Sequence, residues 1–379
     1  MAQKVNKYKV FADPQLLEGK ALAQMEAAMA LPFAIKGALM PDAHTGYALP
    51  IGAVVETRDA VVPAWVGYDI GCGVSCTVLA NIPKDLFTIE KLETLKNLIL
   101  KYIPVGNSRY KVDMGFGNGC DYDKLTPRGK TIYAKRAGNQ LGTLGGGNHF
   151  IEIGYDNSDR ICITIHSGSR GFGHGLATEY MRLAANAAGV MKGNTEGNYP
   201  LMKDDPLLND YINDAYVAQE YALNNRKIMS DLIIKCIADM LDKHVITRQF
   251  INRNHNHVDK TEAGTYIHRK GATHAEKDML GVIPGNMRDG CFIVKGQGNE
   301  DYLCSSSHGA GRVLSRSAAK QIITLEMMKK EMEGIVGCIG QSTIDESPSA
   351  YKNIFDVMKL QNDSVHIVDY IKPILNVKG

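Results

Sequence analysis

The most reactive stretch of this 379-residue chain runs from Cys304 to Arg316, CSSSHGAGRVLSR, with His308 at its centre. A neutral imidazole is a competent nucleophile. Gly309 and Gly311 permit backbone angles and close approach that a Cβ would block, so a phosphate can rest against main-chain N–H groups here. Arg312 adds a forked cation. The following SRSAAKQIITLEMMKKEME predicts a helix from about Ser315, whose N-terminus favours an anion. Taken alone, the stretch reads equally well as a Ser/Gly loop that happens to hold a histidine.

Other stretches carry metal-ligand chemistry. PDAHTGY presents Asp42 and His44, and DIGCG presents Asp69 and Cys72 on a glycine-bent turn. A carboxylate and a thiolate so spaced can point at one divalent ion, and a thiolate can bridge two. A buried cysteine in a tight turn is the simpler account of that pair by itself. In LGTLGGGNHFIEIG, three glycines form a turn that delivers Asn148 and His149, and the FIEI alternation predicts a strand carrying Glu152. This loop lacks the lysine signature of a P-loop. ICITIHSGSRGFG runs an apolar strand into His166, then Ser167, Ser169 and Arg170, which fits either a metal ligand beside an oxyanion site or a buried histidine bonded to a carbonyl. Adjacent strands would bring His149 and His166 together. In RNHNHVDK, at most one of His255 and His257 is expected to meet a common site if the segment is extended. His268, Arg269 and Lys270 form a basic cluster that is either a solvated loop or a holder of phosphates.

These residues need a scaffold. Ala34 to Val78 is rich in Gly, Val, Ile and Pro, which predicts short strands joined by tight turns. Asp13-Pro14 predicts a helix start continuing through LLEGKALAQMEAAMAL. A lysine-rich helix is expected near Ile89–Tyr102, and a long packed helix follows Asp205-Pro206, its Asn224, Asn225 and Arg226 read as a solvated face. DESPSAYKN opens another helix, VHIVDYIKPILNVKG alternates as a strand, and SRYKVDMGFGNGCDYDKL carries no readable role. With no repeats and no linker, one domain over 1–379 is the expected division. Net charge is +2 and 22% of residues are charged, so any nucleic-acid contact rests on a local patch rather than overall charge. No apolar run long enough for a membrane span and no secretion signal stand out, giving a cytoplasmic expectation. The eight scattered cysteines suit reduced thiols and a metal ligand better than a disulfide framework.

From about Ala38 to the C-terminus, the chain resembles the RtcB family of RNA-splicing ligases. The resemblance rests on PDAHTGY, DIGCG, GTLGGGNHF, HSGSRG, the HN at His255, HRKGA, HGAGR with its LSR, and the closing Lys378-Gly379, all in one order. It implies an α+β fold, compact, with β-sheets around a central metal cleft and peripheral helices. It also implies two Mn2+ ions, GTP as co-substrate, and joining of an RNA 3′-phosphate or 2′,3′-cyclic phosphate to a 5′-hydroxyl, in RNA repair or tRNA splicing. An activating accessory protein is left open. By motif position, His308 corresponds to the guanylylated histidine and Cys72 to the thiolate shared by the metals. Asp69 and His149 correspond to ligands of one ion, His166 and His255 to ligands of the other. Asn148, Glu152, Gly309, Ala310, Gly311, Arg312 and Lys378 match nucleotide-contacting positions. The chain departs from the family where Asn286 and Cys291 stand in IPGNMRDGCF, in place of serines near the nucleotide, which marks it as a specialised paralogue. The alternatives are a metal-dependent phosphoesterase that has lost nucleotidyl transfer, and an RNA-binding module without turnover.

Overall fold

The computed structural model describes residues 7–115, 121–190 and 193–379, so residues 116–120 of the unread stretch lie outside the described residues. Two large sheets and two short two-stranded ladders, with helices packed outside them, make an α+β architecture. In spatial order, the larger sheet runs Leu280–Pro284, Cys291–Gly296, Val365–Lys378, Phe150–Tyr155, Arg160–Ser167, Gly73–Pro83 and Thr247–Asn254, each neighbouring pair antiparallel. Val336–Gly337 adds in parallel beside Val365–Lys378. The two edges approach each other: Nε of Arg253 donates to the Leu280 carbonyl at 3.0 Å, and the sheet curls nearly closed.

Alternation along these strands sorts two cores. Ile151, Ile153, Ile163, Ile165, Leu375 and Val377 face outward onto the helices, where they meet Met229, Ile233 and Ile237. Val74, Cys76, Cys162, Ile251, Ile293 and Ile371 fill the inside of the curl. By the same period of two, Glu152 and His166 belong to the inner face.

The second sheet runs Tyr8–Val10, Ala34–His44, Ile51–Thr57, Tyr266–Lys270 and Asn256–Lys260. Thr247–Asn254 of the first sheet and Asn256–Lys260 of the second are separated only by His255, which is therefore the corner between them. Ala272–His274 pairs with Ser305–Ser307, and that short ladder sets His308 beside the corner.

The long helix spans Pro206–Leu241, with Asp205 accepting from the Leu207 N–H at 2.9 Å as its cap. Asn225 and Arg226 do not lie on a solvated face: both are fully buried, because this helix packs against the sheet as well as against neighbouring helices. Other boundaries also differ from expectation. Asp13 accepts from the Gln15 N–H at 2.8 Å in a local turn, and the helix starts only at Gly19. The helix after Ser315 is two, Arg316–Ile322 and Leu325–Glu331, because Thr324 is extended and caps the second. DESPSAYKN forms 3-10 turns, and the α-helix Ile354–Lys359 starts after its Asn353 cap. No helix among the described residues is long and apolar enough to cross a membrane.

Candidate metal and nucleotide site

Strand register brings the site together at one end of the large sheet. Lys378 pairs with Phe150, Phe150 with His166, and Gly73 with both Ser167 and Asn254. His149 precedes the first residue of its strand, Cys72 precedes Gly73, and His255 follows Asn254, so one row of the sheet collects all of them. The His255 N–H also donates to the Cys72 carbonyl at 2.7 Å. Gly71 makes the turn possible: its φ is +76°, and a Cβ there would stand 2.9 Å from Ala222 on the long helix.

The side chains then converge. Cys72 Sγ lies 3.2 Å from His166 Nε2 and 3.5 Å from His149 Nε2. His149 Nε2 lies 3.0 Å from Asp69 Oδ2, and His166 Nε2 lies 3.3 Å from His255 Nε2. Two triads result, Asp69/Cys72/His149 and Cys72/His166/His255, sharing the cysteine. His149 Nδ1 is 2.9 Å from the Leu144 carbonyl and His166 Nδ1 is 3.2 Å from the Asn148 carbonyl. A carbonyl can only accept, so those Nδ1 atoms carry the protons and the Nε2 lone pairs face the cluster. A lone pair opposite a carboxylate, and another between a sulfur and a second imidazole, fit cations at both places. Burial pushes the Cys72 thiol well up, with Asp69 adding to the effect, so a thiolate here needs a metal beside it. Burial likewise holds His166 and His255 well below the ordinary histidine range, so both rings are neutral and could ligate a cation.

His308 stands next to this cluster, its ring 4.8 Å from that of His255 in an edge-on contact. Its Nδ1 lies 2.7 Å from Asp42 Oδ2, and the same oxygen accepts the backbone N–H groups of His308 and Gly309 at 3.1 and 3.3 Å. Asp42 is fully buried; burial opposes its charge, but His308, His44 and Lys352 outweigh that and keep its carboxyl below the usual range. Nδ1 is thereby committed, and Nε2 is the nitrogen left for chemistry. Gly311, at φ +73°, is where the loop passes Asp42; a Cβ would meet the Asp42 carbonyl at 2.2 Å.

A cavity of about 440 Å³ opens over both features and is lined by Asp69, Cys72, Asn148, Glu152, His255 and His308 among others. Gly309, Ala310, Gly311, Arg312 and Lys378 also line it. Glu152 is buried and accepts from Cys291 Sγ at 3.2 Å and from Asn376 Nδ2 at 3.4 Å. Lys378 Nζ donates to Glu346 Oε2 at 2.7 Å rather than to Glu152. Arg312 turns its fork on the Glu346 carboxylate at 3.1 Å and the Asp345 carbonyl at 2.6 Å, shaping the wall more than facing the cavity. Asn286 is occupied by its own turn, donating to Asp289 at 2.7 Å.

Several contributors escaped the sequence reading. Arg226 donates to the carbonyls of Gly71 and Ser167 at 3.0 and 2.7 Å, and to the side chains of Asn252 and Asn254, both at 2.6 Å. It thus fastens the segments bearing Cys72, His166 and His255. The HRK cluster is not solvated: His268, Arg269 and Lys270 are all buried, and burial pulls the Lys270 ammonium down to about 7 where it borders the cavity. Asn256 clamps the corner, accepting from the Gly271 N–H at 2.8 Å.

Residues 24–379 match the family model described as tRNA-splicing ligase RtcB. The chain is 35% identical over 393 residues to the RNA-splicing ligase RtcB of Escherichia coli K12, covering 96% of this chain and 95% of that protein. It is 27% identical to the tRNA-splicing ligase RtcB of Nanoarchaeum equitans, over 98% of this chain and 95% of that one. The corresponding protein of Thermococcus kodakarensis is 26% identical over 98% of this chain and 94% of its own length.

Proposed function

The chain belongs to the RtcB family, and from that premise we propose that it is an RNA ligase joining 3′-phosphate or 2′,3′-cyclic phosphate ends to 5′-hydroxyl ends at the expense of GTP. The observation that supports this most is Cys72, whose sulfur is shared by two candidate ligand triads, with the oriented His308 in the same cavity. Candidate ligands drawn from Asp69 to His255, with Lys378 lining the same cavity, favour one catalytic unit spanning the chain.

Asp42, accepting from Nδ1–H, aims His308 Nε2 at the α-phosphorus of GTP. An Nε2–P bond forms, the bond to pyrophosphate breaks, and Asp42 balances the positive charge left on the ring. An oxygen of the RNA 3′-phosphate then takes the GMP from His308, giving RNA(3′)pp(5′)G and restoring the imidazole. A cyclic phosphate must first be opened by water to a 3′-phosphate. The 5′-hydroxyl attacks the activated 3′-phosphorus and GMP leaves. Two divalent ions held by Asp69, Cys72, His149, His166 and His255, manganese on the family resemblance, would neutralise phosphate charge during in-line attack. These donors also suit zinc. Glu152 offers guanine a buried acceptor.

Incubation with labelled GTP and Mn2+ tests the reading. An acid-labile protein–GMP adduct supports the ligase. RNA cleavage or dephosphorylation without any adduct would replace it with a phosphoesterase.

A further inference from the structure

Behind the His308 loop lies a second polar cluster that the proposed reaction does not use. His257 Nε2 is 3.1 Å from Asp259 Oδ2, and His274 Nε2 is 3.6 Å from the same oxygen. The two imidazoles stack with ring centroids 4.6 Å apart. We propose that His257, Asp259 and His274 form a third divalent-metal site, separate from the pair at Cys72, for a borderline cation such as Zn2+.

The geometry carries this in three ways. His274 Nδ1 lies 2.9 Å from Glu276 Oε1, so the carboxylate fixes its proton on Nδ1 and turns the Nε2 lone pair toward Asp259, the arrangement that orients metal-bound histidines. His257 is buried and its Nδ1 has no partner among the described residues, so its Nε2 edge is the one the surroundings address. Asp259, His274 and Glu276 are part-exposed, which leaves an entry path from solvent. Two imidazoles and a carboxylate with open positions suit zinc, cobalt or nickel better than magnesium. Arg269 also belongs to the cluster, 2.7 Å from Asp259 and 3.3 Å from His257 Nε2. The longer contact is the one a cation would displace, since Arg269 keeps Ser305 Oγ at 2.8 Å, and a carboxylate oxygen can serve an arginine and a metal together.

The site would act on the catalytic centre through short strands. His257 is two residues beyond His255, and His274 pairs with Ser305 at the start of the strand that ends before His308.

The test is metal stoichiometry of the full chain after chelator treatment, titrated with Zn2+ and, as a coloured probe, Co2+. His274→Ala should bind one equivalent fewer than the unaltered protein, and Asp259→Asn the same. Cys72→Ala should still take up Co2+ with a spectrum lacking the intense thiolate charge-transfer band. These outcomes do not depend on ligase activity. Equal stoichiometry in His274→Ala, Asp259→Asn and the unaltered chain, with all three folded by circular dichroism, would overturn the site and leave Arg269 as the cluster's only counter-charge.

Discussion

Asp42 Oδ2 and His308 Nδ1 are 2.7 Å apart although 266 residues separate them in sequence. The carboxylate is fully buried and also holds the loop backbone at His308 and Gly309, so one oxygen sets both where the imidazole sits and which nitrogen it presents.

Replacing Asp42 with Asn keeps the shape but removes the charge that stabilises the ring once Nε2 is bonded to phosphorus. A hydrogen bond to a charged group contributes about 1.5–3 kcal/mol, so adduct formation should slow roughly 10- to 150-fold. Metal content should not change. Single-turnover labelling with GTP reads this directly, and an unaltered adduct rate would remove Asp42 from the positioning role.

Glu152 gives a pH prediction with a definite sign. Burial raises its carboxyl to about 7, against partial relief from Cys291, Asn376 and Lys378. The folded chain therefore keeps a proton that the unfolded chain releases, and the stability this proton confers is lost as pH rises from the ordinary value near 4.5 to about 7. Glu152→Gln carries no charge at any pH. Its melting temperature should gain on that of the unaltered protein between pH 5 and pH 8, and a constant gap across that range would contradict the assignment. If guanine N–H groups meet the carboxylate, GTP binding below about pH 7 should also release a proton, seen as a buffer-dependent heat in calorimetry.

How much of this was legible follows from what each residue's partners are. His149 and His166 stand at strand ends beside glycine turns, so local pattern and the pairing of successive strands were enough to bring them together. His255 and His257, two residues apart, would share one face of a continuous strand; what separates them is the corner at His255, where the chain passes from one sheet to the other. Asp42 was visible as a polar turn residue, but its role depends on a partner in another sheet. Arg226 and Asn225 were misread because the exposed stripe of this helix is narrow, running through Asn213, Tyr216, Glu220, Lys227 and Asp231, and the polar pair falls on the packed side beside it. Thr324 divided a run of good helix formers, since a capping residue inside such a run starts a second helix. Lys378 matched a nucleotide-contacting position, yet its ammonium is paired with Glu346, an acid that no motif contained.

Arg226 should control metal binding without touching a metal. Its guanidinium supplies four acceptors on the three segments that carry Cys72, His166 and His255. Lysine keeps the charge but not the fork. Arg226→Lys should weaken Mn2+ binding about 10- to 100-fold, as loss of outer-shell support typically does, and for both central ions together. Titration of the folded variant measures it. A lower melting temperature with unchanged Mn2+ affinity would reduce Arg226 to a purely structural residue.

The steps assigned to His308 can be separated experimentally. His308→Ala removes the nitrogen that would accept GMP but none of the residues that would hold the metals, so Mn2+ content should stay the same while the protein–GMP adduct disappears. Joining of a 3′-phosphate RNA to a 5′-hydroxyl RNA should then fall to background, because a 3′-phosphate oxygen is a poor leaving group unless GMP has been attached. When the same variant is given RNA already ending in (3′)pp(5′)G, the activation has been made chemically, and what remains is attack of the 5′-hydroxyl with departure of GMP. That step draws on the cluster at Cys72 and not on a covalent histidine, so joining should survive at least in part. Adding Cys72→Ala to His308→Ala should abolish the rescue, which ties the surviving step to the metals. If His308→Ala still joined ordinary 3′-phosphate ends with GTP, the nucleotidyl carrier would have to be another residue. Failure on the activated substrate as well, in a folded protein with its metals bound, would mean that His308 also serves the final step, with its Nε2 stabilising the departing phosphate beside His255.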